Sequence, residues 1–342
     1  MENPPSKVLI FDTAWLGDVI FTTSLIGSVK KVWPTVKLHV LVAKRGELLI
    51  RNHPLVDKVW IYDKNGSENS LGDLFRLASK LKAETFDIVL NAHPSFRSRL
   101  ITRLTGAPIR AGYYGFGSGL AFTHRIENSL EVKPDHAQRR VDLLRVLVHE
   151  ATIEPLQVGV TPETKQLAFA LVRKLAGAEK PLLGLIPGSA RLTKMWPRDH
   201  FSAIAKRWIR DKNGIALVFG GKHETSLVKL ICDSVGENCH PIVNLPLDEV
   251  AGLLAQCSCT VGNDTGVSFL AIAAGCAKVL VLYGCTQVNY SFPLPHKAIA
   301  AGVPCCLPPT GHGRASCKWG ETPWCMQQIS VERVWSELEA DS

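Results

Sequence analysis

Asp18 stands at the first junction between a strand-like and a helix-like segment, in the stretch Thr13-Ala-Trp-Leu-Gly17-Asp18. A carboxylate at such a junction can cap the helix by accepting a hydrogen bond from a backbone N–H group. It can also act as a general base, provided that the turn faces a substrate. The sequence alone leaves both interpretations open. The segment lacks the Gly-x-Gly-x-x-Gly pattern of dinucleotide sites, which argues against a dehydrogenase.

The loop from 186 to 197 carries groups suited to holding a phosphate. Gly188 and Ser189 offer backbone N–H groups, and Arg191 and Lys194 add positive charge. The alternative is a solvated loop in which Pro197 opens the following helix, since proline fits the first turn of a helix. The loop alone decides neither interpretation.

A second candidate phosphate site is the segment Asn263-Asp-Thr-Gly266. We expect Asp264 or Thr265 to cap a helix that begins at Gly266, and Gly275 to end it in the left-handed conformation. A helix N-terminus presents free N–H groups and the positive end of the helix dipole, which attract a phosphate. Alone, the segment is more simply an ordinary capped helix. Beside the 186–197 loop at a neighbouring strand end, it indicates a diphosphate site.

Two further groups of charged residues allow a functional and a structural interpretation each. Glu224 follows a strand end and can accept hydrogen bonds from ribose hydroxyls, as acids do in nucleotide folds, or simply favour the first turn of a helix. Arg97, Arg99, Arg103 and Arg110 lie in a window without acidic residues. They can hold an anionic acceptor, or form a solvated helix face.

The ten cysteines all lie after residue 230. Cys305, Cys306, Cys317 and Cys325 are not spaced like the paired ligands of structural zinc, so no metal site is predicted. The polar start of the chain does not resemble a signal peptide, and a disulfide framework is therefore not expected. These features predict a protein of the reducing cytoplasm, without a membrane span.

The strand-like and helix-like segments alternate in both halves of the chain. Apolar strands are predicted near 7–12, 36–42, 56–62 and 86–91, and again near 182–186, 215–219, 242–244 and 278–284. Such alternation predicts parallel sheets built from βαβ units. We predict two Rossmann-like, doubly wound α/β domains, 1–160 and 161–330, that face a cleft. Ligands of such folds bind at the carboxyl ends of the strands. A last helix within 331–342 is predicted to pack back on the N-terminal domain.

In combination, several segments resemble the ADP-heptose:lipopolysaccharide heptosyltransferases, glycosyltransferase family 9. The segments are Trp15-Leu-Gly-Asp18, His53-Pro-Leu-Val-Asp57, Lys194-Met-Trp-Pro197, Asn263-Asp-Thr-Gly266 and Cys325-Met326. The resemblance spans nearly the whole chain. It implies an inverting transferase of the GT-B fold that needs no metal and no cofactor.

The resemblance also implies roles for individual residues. Asp18 matches the general base that deprotonates the acceptor, and Lys194 matches the lysine beside the phosphates of the donor. Asp264, Thr265 and Gly266 match the donor-binding stretch of the family, and Glu224 matches an acid on the nucleoside side. Together with Gly188, Ser189, Arg191, Thr193 and Leu245 they are the expected donor-binding residues. His136 resembles an acceptor-side histidine, and Thr13, Gly17, Arg97 and Arg99 are expected to bind the acceptor with it.

The implied partners are ADP-heptose and a lipid-anchored, anionic saccharide acceptor. The net charge of +8 suits such an acceptor and transient association with the inner face of the inner membrane of a Gram-negative bacterium. Nucleic-acid binding is not expected, because the arginine window lacks interleaved aromatic residues.

One position departs from the family pattern. Phe269 stands where the family usually has a histidine, three residues after the glycine of Asp-Thr-Gly. A phenyl ring cannot donate the hydrogen bond that an imidazole gives to a phosphate. Three alternatives follow. Arg191 or another hydrogen-bond donor compensates, or the protein uses a different nucleotide sugar, or its turnover is weakened. In the extreme case of the third, the protein binds a nucleotide sugar without transferring it.

Overall fold

The computed structural model describes residues 4–64, 66, 68–127, 135–176, 180–303, 316–320 and 323–340. The chain forms two compact units, Met1–Gly159 and Val160–Ser342, so the division falls close to the expected boundary. The units are described separately below.

The first unit contains a parallel six-stranded sheet with the order β3-β2-β1-β4-β5-β6. Its elements are β1 (Lys7–Asp12), α1 (Leu16–Val32), β2 (Lys37–Ala43), α2 (Glu47–Ile50), β3 (Lys58–Tyr62), α3 (Leu71–Ala83), β4 (Ile88–Asn91), α4 (Phe96–Leu104), β5 (Ile109–Tyr113), α5 (Ser118–Ala121), β6 (His124–Ile126) and α6 (His136–Arg145). The apolar strands β1 and β4 are buried along nearly their whole length. Such continuous apolar runs are typical of a parallel sheet covered by helices on both faces.

The second unit repeats this architecture with the strand order β12-β11-β10-β7-β8-β9. Its elements are α7 (Pro162–Ala176), β7 (Leu182–Ile186), α8 (Arg198–Lys212), β8 (Ile215–Gly220), α9 (Thr225–Val235), β9 (Cys239–Val243), α10 (Leu247–Leu254), β10 (Cys259–Asn263), α11 (Gly266–Ala274), β11 (Val279–Tyr283), β12 (Lys297–Ala300), α12 (Trp324–Gln327) and α13 (Val331–Glu339). In both units the first strand lies in the middle of the sheet. The next two strands are added on one side of it, and the last three are added on the other side. The switch points, where ligands of this fold class bind, therefore lie between β1 and β4 and between β7 and β10.

The closing helix α13 is part of the second unit. Val334, Trp335 and Leu338 are buried in the apolar core of that unit, where Trp335 packs edge-on against Trp208 with ring centroids 6.5 Å apart. Its apolar face is buried against α8 and β11 of the same unit.

The predicted alternation of strands and helices is confirmed, but four of the strands in the described residues were not predicted. β5 and β6 extend the first sheet, β10 leads into the segment Asn263-Asp-Thr-Gly266, and β12 lies inside a stretch rich in Pro, Gly and Cys. Within the described ranges, every helix is too short or too polar to cross a bilayer.

Candidate active site

Asp18 is held at the switch point of the first unit by a buried arginine. Arg140 on α6 donates from Nη2 to Asp18 Oδ1 at 2.8 Å. Its Nε lies 3.6 Å from Oδ2 of Asp12, the last residue of β1, and Thr22 Oγ1 donates to the same oxygen at 2.6 Å. The side chain of Arg140 is 4% exposed, whereas that of Asp18 is 27% exposed. Asp18 is thus the member of this group that a molecule in solvent can reach.

The N-cap interpretation of Asp18 is wrong. Helix α1 begins at Leu16 with Trp15 as its N-cap residue, and no side chain caps it. The carboxylate of Asp18 instead turns towards Arg140. Burial alone lowers the pKa of Arg140, but the neighbouring Tyr113, Asp12 and Asp18 outweigh burial and raise it above its ordinary value. Arg140 is therefore a permanent cation that orients Asp18.

Sequence reasoning missed Arg140 and Asp12, although a signal was present. Arg140 lies on α6 between Ala137, Val141 and Leu144, which are all buried. An arginine on the apolar face of an amphipathic helix must find a partner inside the protein. That partner is a carboxylate at the end of a buried strand.

Thr13 and two histidines complete the surroundings of Asp18. Thr13 Oγ1 lies 2.8 Å from His93 Nδ1, which joins the ends of β1 and β4 across the switch point. His136, the first residue of α6, stacks on Phe21 with ring centroids 5.1 Å apart. The charge of Asp18 acts on both histidines, yet burial lowers the pKa of His93 and lowers that of His136 to about 4. Both imidazoles are therefore neutral near pH 7.

Arg97 belongs to a cationic group beside the same turn. Lys64 Nζ donates to the carbonyl oxygen of Thr13 at 3.0 Å. Burial and the nearby charges of Arg45 and Arg97 lower the pKa of Lys64, although the carboxylate of Asp12 opposes them. A cavity of about 360 Å³ opens beside them, lined by Ala43, Lys44, Arg45, Tyr62, Asp63 and Lys64. An anionic group fits this environment.

Arg99 and Gly17, the other two expected acceptor-binding residues, lie outside the cationic group around Arg97. Arg99 Nη1 donates to the carbonyl oxygen of Phe116 at 2.9 Å, so its guanidinium is held at the loop after β5. No hydrogen bond or ion pair of the described residues links it to the Asp18–Arg140 pair. Gly17 is half-buried and directly precedes Asp18 in the first turn of α1.

In the second unit Lys194 and Asp264 form an ion pair across the switch point. Lys194 Nζ lies 2.6 Å from Asp264 Oδ2, and Thr286 Oγ1 donates to the same oxygen at 2.9 Å. The side chains of the pair are 12% and 5% exposed. Lys194 is thereby fixed beside the start of α11 rather than free in solvent.

The loop that carries Lys194 is clamped to the end of β10. Asn263 donates from Nδ2 to the carbonyl oxygen of Pro187 at 2.8 Å, and its Oδ1 accepts from the backbone N–H of Trp196 at 2.9 Å. One buried amide thus holds both ends of the loop. The joint placement of the two predicted phosphate loops is confirmed.

Thr265, and not Asp264, caps α11. Its side chain accepts from the backbone N–H of Val267, and the helix runs from Gly266 to Ala274. Gly275 ends the helix with φ 91°, in the left-handed region that glycine adopts at little cost. The predicted helix is confirmed, and its N-terminus lies beside the Lys194–Asp264 pair.

Gly188 and Glu224 are brought into contact although 36 positions separate them in the sequence. Any Cβ at position 188 would collide with the Glu224 carboxylate. Glu224 Oε2 also accepts from the backbone N–H of Gly221 at 2.8 Å, so its position is fixed. A side chain at position 188 would therefore displace the Glu224 carboxylate from this place.

The remaining expected donor-binding residues lie on the loops of this unit with different exposure. Ser189 is half-buried and accepts from the backbone N–H of Arg191 at 3.4 Å, while Arg191 itself is exposed. Thr193 is buried, and its carbonyl oxygen accepts from Cys285 Sγ at 3.3 Å. Leu245 is half-buried between β9 and α10. The first three follow β7 and Leu245 follows β9, and β8 lies between these two strands in the sheet.

Phe269 lies in an aromatic cluster inside the second unit. It is 2% exposed, and its ring meets Tyr290 edge-on at 5.9 Å and Phe292 at 6.1 Å. The side chain at this position packs in the interior and does not extend into solvent at the start of α11.

No group of three or more His, Cys, Asp and Glu side chains with metal-binding geometry occurs among the residues that the structure describes. Cys325 is buried in the core of the second unit. Cys305 and Cys306 lie outside the described residues.

Comparison with known proteins agrees with this architecture over nearly the full length. Lipooligosaccharide heptosyltransferase 2 of Haemophilus influenzae is 26% identical over 312 residues, covering 85% of this chain and 87% of the relative. Lipopolysaccharide heptosyltransferase 2 of Escherichia coli K12 is 24% identical over 303 residues, covering 85% and 86%.

Two solved structures show the same fold. E. coli ADP-heptose lps heptosyltransferase II has a TM-score of 0.77 at 21% identity and covers 97% of each chain. E. coli heptosyltransferase WaaC with ADP-2-deoxy-2-fluoro heptose has a TM-score of 0.71 at 19% identity, covering 97% of this chain and 99% of the other. The sequence model of glycosyltransferase family 9 (heptosyltransferase) matches residues 74–309. The chain is therefore a GT-B glycosyltransferase that belongs to glycosyltransferase family 9 (heptosyltransferase).

Proposed function

We propose that the protein transfers heptose from ADP-heptose to the inner core of lipopolysaccharide, with inversion at the anomeric carbon. The observation that carries the mechanism is the partly exposed Asp18 carboxylate oriented by the buried Arg140. Donor and acceptor are suggested by the family and by the names of its relatives.

Asp18 is the proposed general base. The acceptor hydroxyl oxygen attacks the anomeric carbon, the bond from that carbon to the phosphate oxygen breaks, and the hydroxyl proton moves to Asp18. ADP leaves with the bonding electron pair, and a single displacement inverts the centre. One Asp18 oxygen is bound to Arg140 and the carboxylate remains reachable, which suits a group that must take a proton at a fixed place.

Lys194 and the start of α11 are proposed to stabilise the leaving diphosphate. Negative charge grows on ADP as the bond breaks, and fixed positive groups beside it lower the barrier. Asp264 holds Lys194 in place, and Thr286 holds Asp264. Glu224, in contact with Gly188, is proposed to accept hydrogen bonds from the ribose.

We further propose that no metal ion takes part, because Lys194 and the N–H groups at the start of α11 supply the positive charge. Activity that persists in excess chelator supports this proposal. Loss of activity in chelator, restored by a divalent cation, would overturn it.

The acceptor side is proposed to use the cations around Thr13. Arg45 and Lys64 line the cavity beside that turn, and Arg97 donates to the Tyr62 hydroxyl of its wall at 3.5 Å. An acidic saccharide offers matching charge. His136 is neutral near pH 7 and can donate or accept a hydrogen bond to an acceptor hydroxyl.

The test is transfer from ADP-heptose to an inner-core acceptor by Asp18→Asn. We expect kcat to fall by about 10²- to 10⁴-fold with little change in donor KM, because the amide cannot take the proton. Asp199→Asn is the matched control, since Asp199 also lies in a first helical turn beside an arginine but is 83% exposed. Unchanged turnover in Asp18→Asn would remove Asp18 from the mechanism.

A different nucleotide sugar is the second candidate donor, and Phe269 is the observation behind it. The phenyl ring packs among aromatic side chains where the family usually has a histidine. Thermal shift with a panel of nucleotide sugars decides the question, because the true donor raises the melting temperature most. If another nucleotide sugar raises the melting temperature and ADP-heptose does not, that nucleotide sugar is the donor and the proposed donor is wrong.

A further inference from the structure

The loop after β5 in the first unit exposes large apolar side chains. Phe116 is 90% exposed and Leu120 is 82% exposed, and Tyr114 beside them is half exposed. Gly117 has φ 73° and is the N-cap residue directly before α5, so the chain turns next to Phe116. Single exposed apolar residues are ordinary, but several on one short loop indicate an interaction surface.

Arginines surround this loop. Arg125 lies 5.1 Å from the centroid of the Tyr114 ring, and Arg99 donates to the carbonyl oxygen of Phe116. Arg110 donates to the carbonyl oxygen of Ala121 at 2.8 Å. We call Tyr114, Phe116, Leu120 and Arg125 the 114–125 patch.

The sequence around the patch contains no acid to neutralise it. From 88 to 126 the chain has no Asp or Glu, and the first acid after this range is the exposed Glu127. The arginines of this range are Arg97, Arg99, Arg103, Arg110 and Arg125. Helix α4 packs against α5, and Phe96 at the start of α4 adds another exposed ring.

We propose that the 114–125 patch docks the protein on an anionic bilayer surface. Aromatic and aliphatic side chains enter the boundary between headgroups and acyl chains, and arginines bind the lipid phosphates beside them. The proposed docking is argued from the patch alone. Its role in bringing the enzyme to a lipid-anchored acceptor rests on the proposed function. A symmetric contact between two copies is disfavoured, because it would bring the same arginines against each other.

Vesicle co-sedimentation of the full chain, without donor or acceptor, tests the proposal. We expect binding to vesicles of phosphatidylethanolamine and phosphatidylglycerol, and much weaker binding to phosphatidylcholine alone. Phe116→Ser with Leu120→Ser should lower the partition coefficient by about tenfold or more. Arg125→Gln should lower it about fivefold at low salt, and less near 1 M salt, where charges are screened within about 3 Å.

The chain offers a matched control in the second unit. Phe169 on α7 is about half exposed and carries Arg173 at 5.8 Å from its ring, but it and the exposed Leu167 lie on a long helix and not on a short loop. Phe169→Ser with Arg173→Gln should leave vesicle binding unchanged. Circular dichroism and melting temperature check that each variant is folded.

Three outcomes would overturn the proposal. They are absence of binding to anionic vesicles, equal binding by wild type and the 114–125 variants, and a patch-dependent dimer in sedimentation with no vesicle binding. Transfer assays separate this failure from failure of the proposed function. With the patch changed, transfer to a deacylated acceptor should keep its kcat and KM, while transfer to acceptor in vesicles should need more enzyme.

Discussion

Arg140 joins two carboxylates that differ in exposure: Asp12 is fully buried, and Asp18 reaches solvent. The buried pair anchors the guanidinium, and the guanidinium in turn orients the exposed carboxylate. This arrangement gives Asp18 a fixed position without burying it. The same arginine therefore contributes to stability through Asp12 and to the proposed chemistry through Asp18.

Replacing Arg140 should cost both stability and activity. In Arg140→Met the carboxylate of Asp12 loses its ion-pair partner at zero exposure, so we expect a loss of about 3–5 kcal/mol in the free energy of unfolding. Urea unfolding measures this loss. The double variant Asp12→Asn with Arg140→Met should recover most of it, because no buried charge is then left unpaired. A loss below about 1 kcal/mol in the single variant would contradict the anchoring role.

Lys194 and Asp264 should act as a unit in turnover. We expect Lys194→Met to lower kcat by about 10²- to 10³-fold, because a fixed cation beside the leaving diphosphate is lost. Asp264→Asn should lower kcat less, since Lys194 keeps its charge but loses its 2.6 Å partner. The double variant should be little worse than Lys194→Met alone. Fully additive losses would show that the pair does not work as a unit. Lys212→Met, at an exposed ion pair with Glu339, is the control.

Gly188→Ala should weaken nucleotide binding. Its Cβ would collide with the Glu224 carboxylate, which must then leave its place or push the loop away. Displacing the carboxylate removes the group proposed to bind the ribose, and we expect the Kd for ADP in calorimetry to rise about tenfold, which is about 1.4 kcal/mol. Gly221→Ala is the matched control, since its Cβ would meet Glu224 Oε2 only at an ordinary 3.7 Å. Equal Kd values for both variants would show that Gly188 and Glu224 do not shape the ADP site.

The fold and the strand-end residues were within reach of sequence reasoning, because both follow from local patterns. Apolar runs such as Leu182–Ile186 predict buried strands, and Thr265 with Gly275 marks the limits of a helix. Partners that meet only in the folded chain were not within reach. The Asp18–Arg140 pair spans 122 positions, and the choice of Thr265 over Asp264 as cap depends on Lys194, 70 positions away.

Stability should fall as the pH drops from about 6.5 towards 4. Burial lowers the pKa of His53 and of His136 to about 4, from 6.5 when unfolded. Between these values the unfolded chain binds more protons than the folded chain, so acid favours unfolding, by up to about 3 kcal/mol for each histidine. Urea midpoints between pH 7.5 and 4 measure the slope. His136→Gln should flatten it, whereas His149→Gln, at an exposed position, should not. A midpoint independent of pH in this range would contradict neutral, buried imidazoles.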